Sequence, residues 1–116
     1  MSEAQPETRT DVRDLTAFQK NILTVLAEEA RYGLAIKREL EDYYGQEVNH
    51  GRLYPNLDDL VNKGLVEKSE LDKRTNEYAL TGDGFDAVVD DIEWTLSKFV
   101  VDDDRKDRIE AILAEN

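Results

Sequence analysis

The spacing of the apolar residues changes within the segment 65–81. Before and after it they recur every three or four residues, as in helices, whereas "LVEKSELDKRTNEYALT" alternates apolar and polar positions in part. That alternation, interrupted by "DKRTN", predicts a short β-hairpin. A chain of 116 residues is long enough for one core, so the hairpin must share it with the helices on either side.

Three helical segments precede the hairpin, with "RYG" as a break after the first. The first begins at "LTAFQKNIL", where Thr16 and Gln19 have capping-box spacing. The second, "YGLAIKRELEDYYG", stops at Gly45, and the third, "NHGRLYPNLDDLVNKGLV", stops near Gly64. A long fourth helix begins at "TGDGFDAVVDD", and "DRKDRIEAILAEN" predicts a final amphipathic turn or two.

This order predicts a mainly α fold with a small β-hairpin, a winged helix-turn-helix followed by a C-terminal dimerisation helix. The predicted parts are a flexible polar arm over residues 1–14, a DNA-binding domain over 15–80 and a helical dimerisation segment over 81–116.

Composition argues against an enzyme and against a membrane protein. The chain has no cysteine, one histidine, no glycine-rich phosphate loop and no metalloprotease motif, so we predict no catalytic residue, no metal site and no cofactor. No run approaches the roughly 18 apolar residues of a membrane span. The first residues have no apolar core and do not resemble a signal peptide. These features predict a cytoplasmic protein.

The third helix combines an apolar stripe with polar residues in its first turns. In a winged helix-turn-helix one face of this helix packs on the core and the other enters the DNA major groove. Arginine pairs with guanine and asparagine with adenine, which predicts base contacts by Arg52 and Asn56. Asn49 is predicted as a helix N-cap with DNA contact as a second role, and His50 as either a groove contact or a solvated residue. For Arg52 the alternatives are a phosphate contact or an intrahelical pair.

Pro55 lies inside this helix, and its ring is expected to clash with the carbonyl of Gly51, four residues earlier. We predict a kink that tilts the first turns outward.

Five further residues are candidates for contacts with the DNA backbone. Tyr54 is predicted as a partly buried aromatic whose hydroxyl reaches a phosphate. Tyr32 and Lys37 lie near the start of the second helix, and Lys73 and Arg74 at the hairpin tip, where a wing meets DNA. The alternative for the two wing residues is simple solvation.

A heptad pattern in the fourth helix predicts a homodimer, because apolar residues spaced 4, 3, 4 and 3 form a coiled-coil seam. This seam consists of Phe85, Val89, Ile92, Leu96 and Phe99. The alternative is that the seam packs on the chain's own core. A second stripe of Ala87, Trp94 and Val101 favours one face for the core and one for a partner. Ile109, Ile112 and Leu113 extend either face.

The net charge of −12 opposes binding to DNA phosphates. Residues 81–116 carry 11 acidic and 4 basic residues, so much of the excess lies outside the DNA-binding part. An acidic surface suits concentrated brine, where the Debye length is about 3 Å at 1 M salt. Cations are then expected to bridge acids such as Glu39 or Glu47 to phosphate. The run Asp102–Asp104 is predicted to cap the last helix rather than to bind a cation.

The segment "GRLYPNL", followed by "NKGLV" and "YALT", resembles the PadR family of transcriptional regulators, over Leu15 to about Trp94. Members usually have serine at the position of Asn49, a small hydroxylated residue at that of Arg52, and a basic wing. The resemblance implies a homodimeric DNA-binding repressor or activator that dimerises through its C-terminal helix. Within the family, the acidic composition and short C-terminal part resemble an oxidant-dependent regulator of extreme halophiles. The alternative function is a winged-helix module that binds protein and not DNA.

Overall fold

The computed structural model of the protein describes residues 14–72 and 75–116. Within that part of the chain no helix is long and apolar enough to cross a membrane. The elements follow the order of a winged helix-turn-helix with C-terminal helices, which confirms the predicted fold class. They are α1 (Ala17–Glu28), β1 (Arg31–Tyr32), α2 (Gly33–Tyr44), α3 (His50–Asn62), β2 (Val66–Asp72), β3 (Thr75–Leu80), α4 (Gly82–Phe99) and α5 (Asp103–Glu115).

The predicted starts and stops of the first three helices are confirmed. At α1 the Gln19 backbone N–H donates to Thr16 Oγ1 at 3.1 Å, and the Thr16 N–H donates to Gln19 Oε1 at 3.2 Å. Helix α2 ends at Gly45, whose φ is 71°. After α3, Gly64 has a φ of 78°, and the N–H groups of Gly64 and Leu65 donate to the carbonyls of Val61 and Leu60. This is a Schellman motif, which satisfies carbonyls that the last helical turn leaves free.

The sheet has one strand more than predicted. Its order is β1-β3-β2, with both pairs antiparallel, and Arg31 and Tyr32 of β1 pair with Tyr78 and Glu77 of β3. The prediction that "RYG" is only a break was therefore wrong. Two residues are too short to show any alternation, so no periodic signal marks this strand. The hairpin itself is confirmed, with a register irregularity between Glu70 and Asp72.

The core lies between the helices and the inner face of the sheet. Leucines of α1, α2 and α3 meet there, and the sheet closes it through Val66 and Tyr78. Beyond Val66 the residues of β2 are exposed, so the far end of the hairpin projects from the body as a wing. The wing residues Lys73 and Arg74, and all but the last residue of the predicted N-terminal arm, lie outside the described residues.

The start of α4 is held against the turn that follows α3. Thr81 donates its hydroxyl to the Gly64 carbonyl at 2.7 Å, and its Oγ1 accepts the Gly84 N–H at 3.0 Å. Gly84 lies so close to Leu65 that a Cβ there would overlap the Leu65 carbonyl oxygen and would come within 2.7 Å of Leu80 Cδ1. The close packing of α4 on the domain therefore requires the absence of a side chain at position 84.

We expect Gly84→Ala to lower the free energy of unfolding by about 1–3 kcal/mol, the usual cost of an overpacked site. Gly82→Ala is the matched control, because it makes the same change in the same helical turn but has open space around its Cβ. Alanine is the better helix former, so the control should be neutral or slightly stabilising. Urea denaturation of the two variants measures the difference, and equal stabilities would contradict the packing argument.

Helix α5 is longer than the turn or two that was predicted. Its 13 residues begin after Asp102, whose carboxylate accepts the Arg105 N–H at 2.9 Å, as expected of a cap. The prediction underestimated it because only three apolar residues mark its period, whereas its strong helix formers give no periodic signal. No residue of α5 is buried, and Ile112 and Leu113 are exposed.

Candidate nucleic-acid interface

The residues from Asn49 to Arg52, at the start of α3, are exposed, and Asn49 caps the helix. Asn49 Oδ1 accepts the Gly51 N–H at 2.5 Å, so the predicted N-cap is confirmed. His50 stacks on Tyr54, with ring centroids 5.6 Å apart and an interplanar angle of 20°. Helix α3 continues through Pro55 to Asn62 as a single helix. The outward tilt inferred from a kink at Pro55 stays a prediction.

Arg52 lies along the flank of α3 that faces α1. Its guanidinium carbon is 3.9 Å from the centroid of the Phe18 ring, a cation–π contact with a buried residue. Among the described residues no hydrogen bond or ion pair uses the guanidinium N–H groups of Arg52. The contact with Phe18 therefore restricts the side chain while its donors remain available to an acceptor.

Asn56 shares this flank, as the helical spacing predicted, but its amide is used within the chain. Its Nδ2 donates to the Arg52 carbonyl at 2.7 Å, and its Oδ1 accepts from Gln19 Nε2 at 3.1 Å. An adenine contact by Asn56 would have to use the second hydrogen of Nδ2 and the second lone pair of Oδ1, or replace these bonds. The centre of the outward face instead consists of Gly51, Pro55, Asp58 and Asn62, which are all exposed and spaced 4, 3 and 4 apart.

Gln19 connects α1 to α3, a role that the sequence did not indicate beyond its part in the capping box. Its Nε2 also donates to Asp59 Oδ2 at 2.8 Å, and Lys63 Nζ approaches the same oxygen at 2.6 Å. The hydrogen bond from Lys63, and then that from Gln19, hold the pKa of Asp59 below its usual value. The network fixes the rotation of α3 about its own axis relative to α1.

Tyr54 lies on the opposite flank and is half-buried, as predicted. Its hydroxyl lies directly against Gly33, the first residue of α2, where no Cβ would fit. Together with Tyr32 it lines a pocket of about 310 Å³, the tyrosine pocket, whose lining residues are Tyr32, Gly33, Leu34, Tyr54, Thr75, Asn76 and Tyr78.

Lys37 is the one described lysine among the predicted phosphate contacts, and it is engaged by a carboxylate. Its Nζ lies 2.6 Å from Glu41 Oε2, which also accepts the Val48 N–H at 2.9 Å. The hydrogen bond from Lys37, followed by that from Val48, lowers the pKa of Glu41. Lys37 therefore helps to fix the loop before α3. The acids predicted to recruit cations, Glu39 and Glu47, are both exposed.

The seam of α4 is not packed on the chain's own core. Phe85, Val89, Ile92 and Phe99 are between 42% and 57% exposed, and Leu96 is partly buried. The predicted second stripe was wrong in its members, because Ala87 is buried whereas Trp94 and Val101 are exposed. The core-facing side of α4 is instead formed by Gly84, Ala87 and Val88. The core contacts of α4 are confined to its first two turns, and one turn further Asp91 still lies 3.4 Å from Lys20 of α1.

Comparisons with known proteins agree with this architecture. Residues 22–89 match the transcriptional regulator PadR-like family. The structure of H. salinarum RosR grown from NaBr is 86% identical, with a TM-score of 0.89, and the match covers 90% of this chain and 96% of that one. The complex structure of hsRosR-S4 is 83% identical, with a TM-score of 0.90, and the match covers 94% and 95%. A comparison with curated protein sequences finds no significant match.

Bacillus subtilis PadR in complex with operator DNA is 20% identical, with a TM-score of 0.57, over 67% of this chain and 46% of that one, and shares the fold. The match over residues 22–89 and the identity to H. salinarum RosR lead to one conclusion: this chain belongs to the PadR-like family of transcriptional regulators.

Proposed function

We propose that the protein binds a pseudo-palindromic operator in double-stranded DNA as a homodimer, with the first turns of α3 in the major groove. The observation that carries the proposal is the exposed apolar seam of α4, which continues along the helix to Phe99. Isolated apolar residues on a surface are ordinary, but five in heptad register on one helix indicate a partner helix. A second copy supplies that helix with the same pattern.

The dimer gives α3 its function. In a symmetric helix-turn-helix dimer the two recognition helices lie about 34–36 Å apart, one turn of DNA, and read two half-sites. Within each half-site Arg52 is the base-reading residue, and Asn49 and His50 contact DNA beside it. Tyr32, Tyr54, Lys73 and Arg74 contact the backbone. Residues 15–80 form the DNA-binding domain and residues 81–116 the dimerisation segment.

The negative charge of the C-terminal helices and the similarity to RosR both bear on the salt concentration at which the protein works. Eleven acidic residues lie on α4, on α5 and in the loop between them, which gives a partner-facing half that is stable only when cations screen it. We infer a high-salt cytoplasm and a response to oxidants. The chain has no cysteine, so thiol oxidation is not the sensing chemistry.

The test is a gel shift of the full chain with DNA from upstream of its own gene, at several salt concentrations. We expect one retarded complex that unlabelled specific DNA removes and unrelated DNA does not. The absence of any specific complex at every salt concentration would favour the protein-binding module instead.

The same titration gives a quantitative prediction. A basic protein with 6–10 phosphate contacts loses about 10³–10⁵ in affinity between 50 and 200 mM salt. Here cations taken up by acids near the DNA offset those released from phosphate, so the slope of log affinity against log salt should be shallow. Glu39→Gln with Glu47→Gln should make the slope more negative and raise affinity at low salt.

The matched control is Asp107→Asn with Glu110→Gln, which removes the same charge from α5. It should change the slope less than the first pair does. A steep negative slope in the unmodified protein, unchanged by Glu39→Gln and Glu47→Gln, would overturn the high-salt proposal and leave operator binding intact.

A further inference from the structure

The tyrosine pocket has the features of a binding site that the proposed DNA contacts do not fully use. It lies where the start of α2, the second turn of α3 and the strand β3 meet. Its lining carries three tyrosines, one threonine and one asparagine, and none of its side chains is charged. Because no charged side chain is among these described lining residues, the polar groups of the backbone help to decide which charge the pocket accepts.

The backbone at this point is the N-terminus of a 12-residue helix. The first N–H groups of a helix have no intrahelical acceptor, and the helix dipole places partial positive charge there. In α1, α3, α4 and α5 a side chain of the N-cap residue accepts one of these N–H groups. In α2 the N-cap is Tyr32, which makes no such bond. Gly33 at the first position adds no side chain that would cover the amides.

A buried hydroxyl gives an independent indication of a ligand. Tyr78 lines the pocket and is 2% exposed, yet within residues 14–72 and 75–116 its hydroxyl has no hydrogen-bond partner. A buried polar group without a partner is costly, and natural proteins rarely keep one unless something satisfies it. Burial raises the pKa of Tyr78, so the hydroxyl remains protonated and can donate.

We propose that the tyrosine pocket binds a phosphate-type oxyanion through the free N–H groups at the start of α2 and the hydroxyls of Tyr54 and Tyr78. An oxyanion has several acceptor atoms, so it can accept hydrogen bonds from the amides and the hydroxyls together. A cation has no acceptor atom and would leave these donors unsatisfied. Two sources carry this chemistry, a backbone phosphate of bound DNA and free inorganic phosphate. The volume of about 310 Å³ exceeds that of one oxyanion and leaves room for water or for the sugar attached to a DNA phosphate.

The negative charge of Asp58 is expected to weaken anion binding in the tyrosine pocket. Its charge contributes, after burial, to the raised pKa of Tyr78, so its carboxylate acts on the hydroxyl. A charge of the same sign as the ligand weakens binding, and Asp58→Asn should therefore strengthen it. Asp58 is exposed, so this substitution leaves the core unchanged.

The test is a titration of the full chain with sodium phosphate, without DNA and at constant ionic strength kept with NaCl, followed by the backbone amide resonances. The amides of Leu34 and Ala35 should shift with phosphate and saturate. Tyr78→Phe should weaken this binding about tenfold or more, since it removes a donor to a charged acceptor. Without phosphate the variant should melt no lower than the unmodified protein, because the hydroxyl has no partner to lose.

Tyr43→Phe is the matched control, because it removes the same atom from an exposed tyrosine on α2 outside the pocket. A second arm uses operator DNA, intact or with neutral methylphosphonate linkages. If phosphate alone shifts the amides and Tyr78→Phe weakens the effect, the site takes free oxyanions. If only DNA shifts them, and both Tyr78→Phe and methylphosphonate weaken DNA binding, the ligand is a DNA phosphate. The proposal is overturned if neither titrant shifts these amides, or if Tyr78→Phe binds as the unmodified protein does. Because the phosphate arm needs no DNA, it still decides if operator binding itself fails.

Discussion

Ile92→Asp, and separately Leu96→Asp, is expected to give a monomer that no longer binds operator DNA. Ile92 is 52% exposed in the single chain, so an aspartate there does not disturb the core. In a dimer it would place two buried carboxylates opposite each other, and unpaired buried charge is strongly unfavourable. A monomer holds only one half-site, and the affinity contributed by the second is lost. Light scattering measures the mass, and a gel shift measures the binding.

Ser97→Asp serves as the control for added charge. Ser97 is exposed on the same helix and lies about 140° around it from Ile92, at about 100° per residue. This variant should remain a dimer and bind DNA. A double variant, Ile92→Asp with Leu96→Asp, that still has the mass of a dimer would place the interface elsewhere.

Arg52→Ala is expected to abolish sequence-specific binding while the protein stays folded. A bidentate base contact contributes about 1–3 kcal/mol, and a symmetric dimer makes it twice. The substitution also removes the contact with Phe18, which at an exposed site is worth about 0.5–1 kcal/mol. The loss in melting stability should therefore be small beside the loss in specific affinity. Competition gel shifts and thermal melts of the same preparation compare the two.

Arg108→Ala, on the exposed surface of α5, controls for the loss of one positive charge. It should keep the preference for operator over unrelated DNA. If Arg52→Ala keeps the affinity and the preference of the unmodified protein, the contact of Arg52 with Phe18 has only a structural role. The assignment of Arg52 as the base-reading residue of α3 is then wrong.

The features that the sequence predicted well depend on neighbours within about five residues. The capping box at Thr16, the cap at Asn49, the stops at Gly45 and Gly64, and the cap at Asp102 each follow from local backbone chemistry. The order of helices and hairpin follows from the periods of the apolar residues, which is also a local property.

The features that it missed join distant parts of the chain. Gln19 bonds to Asn56 and Asp59 across 37 and 40 residues, so helical spacing alone placed Asn56 on the correct face but could not show that its amide was engaged. The strand β1 exists because β3 offers it a partner, which no pattern in two residues can reveal. In the sequence Tyr78 is one position of an alternating strand. The pocket that it lines becomes visible only when α2 and α3 pack around it.

Pro55 gives α3 a property that no side chain supplies. Proline has no N–H, so the Gly51 carbonyl four residues earlier loses its helical donor. Gly51 and Pro55 are both exposed on the outward face of the helix. A main-chain acceptor is thus exposed in the first turn, and in the proposed complex it faces the major groove, where the amino groups of cytosine and adenine are donors. In that complex the peptide backbone of α3 would contribute to base preference, and substitutions that change only side chains would leave that contribution in place.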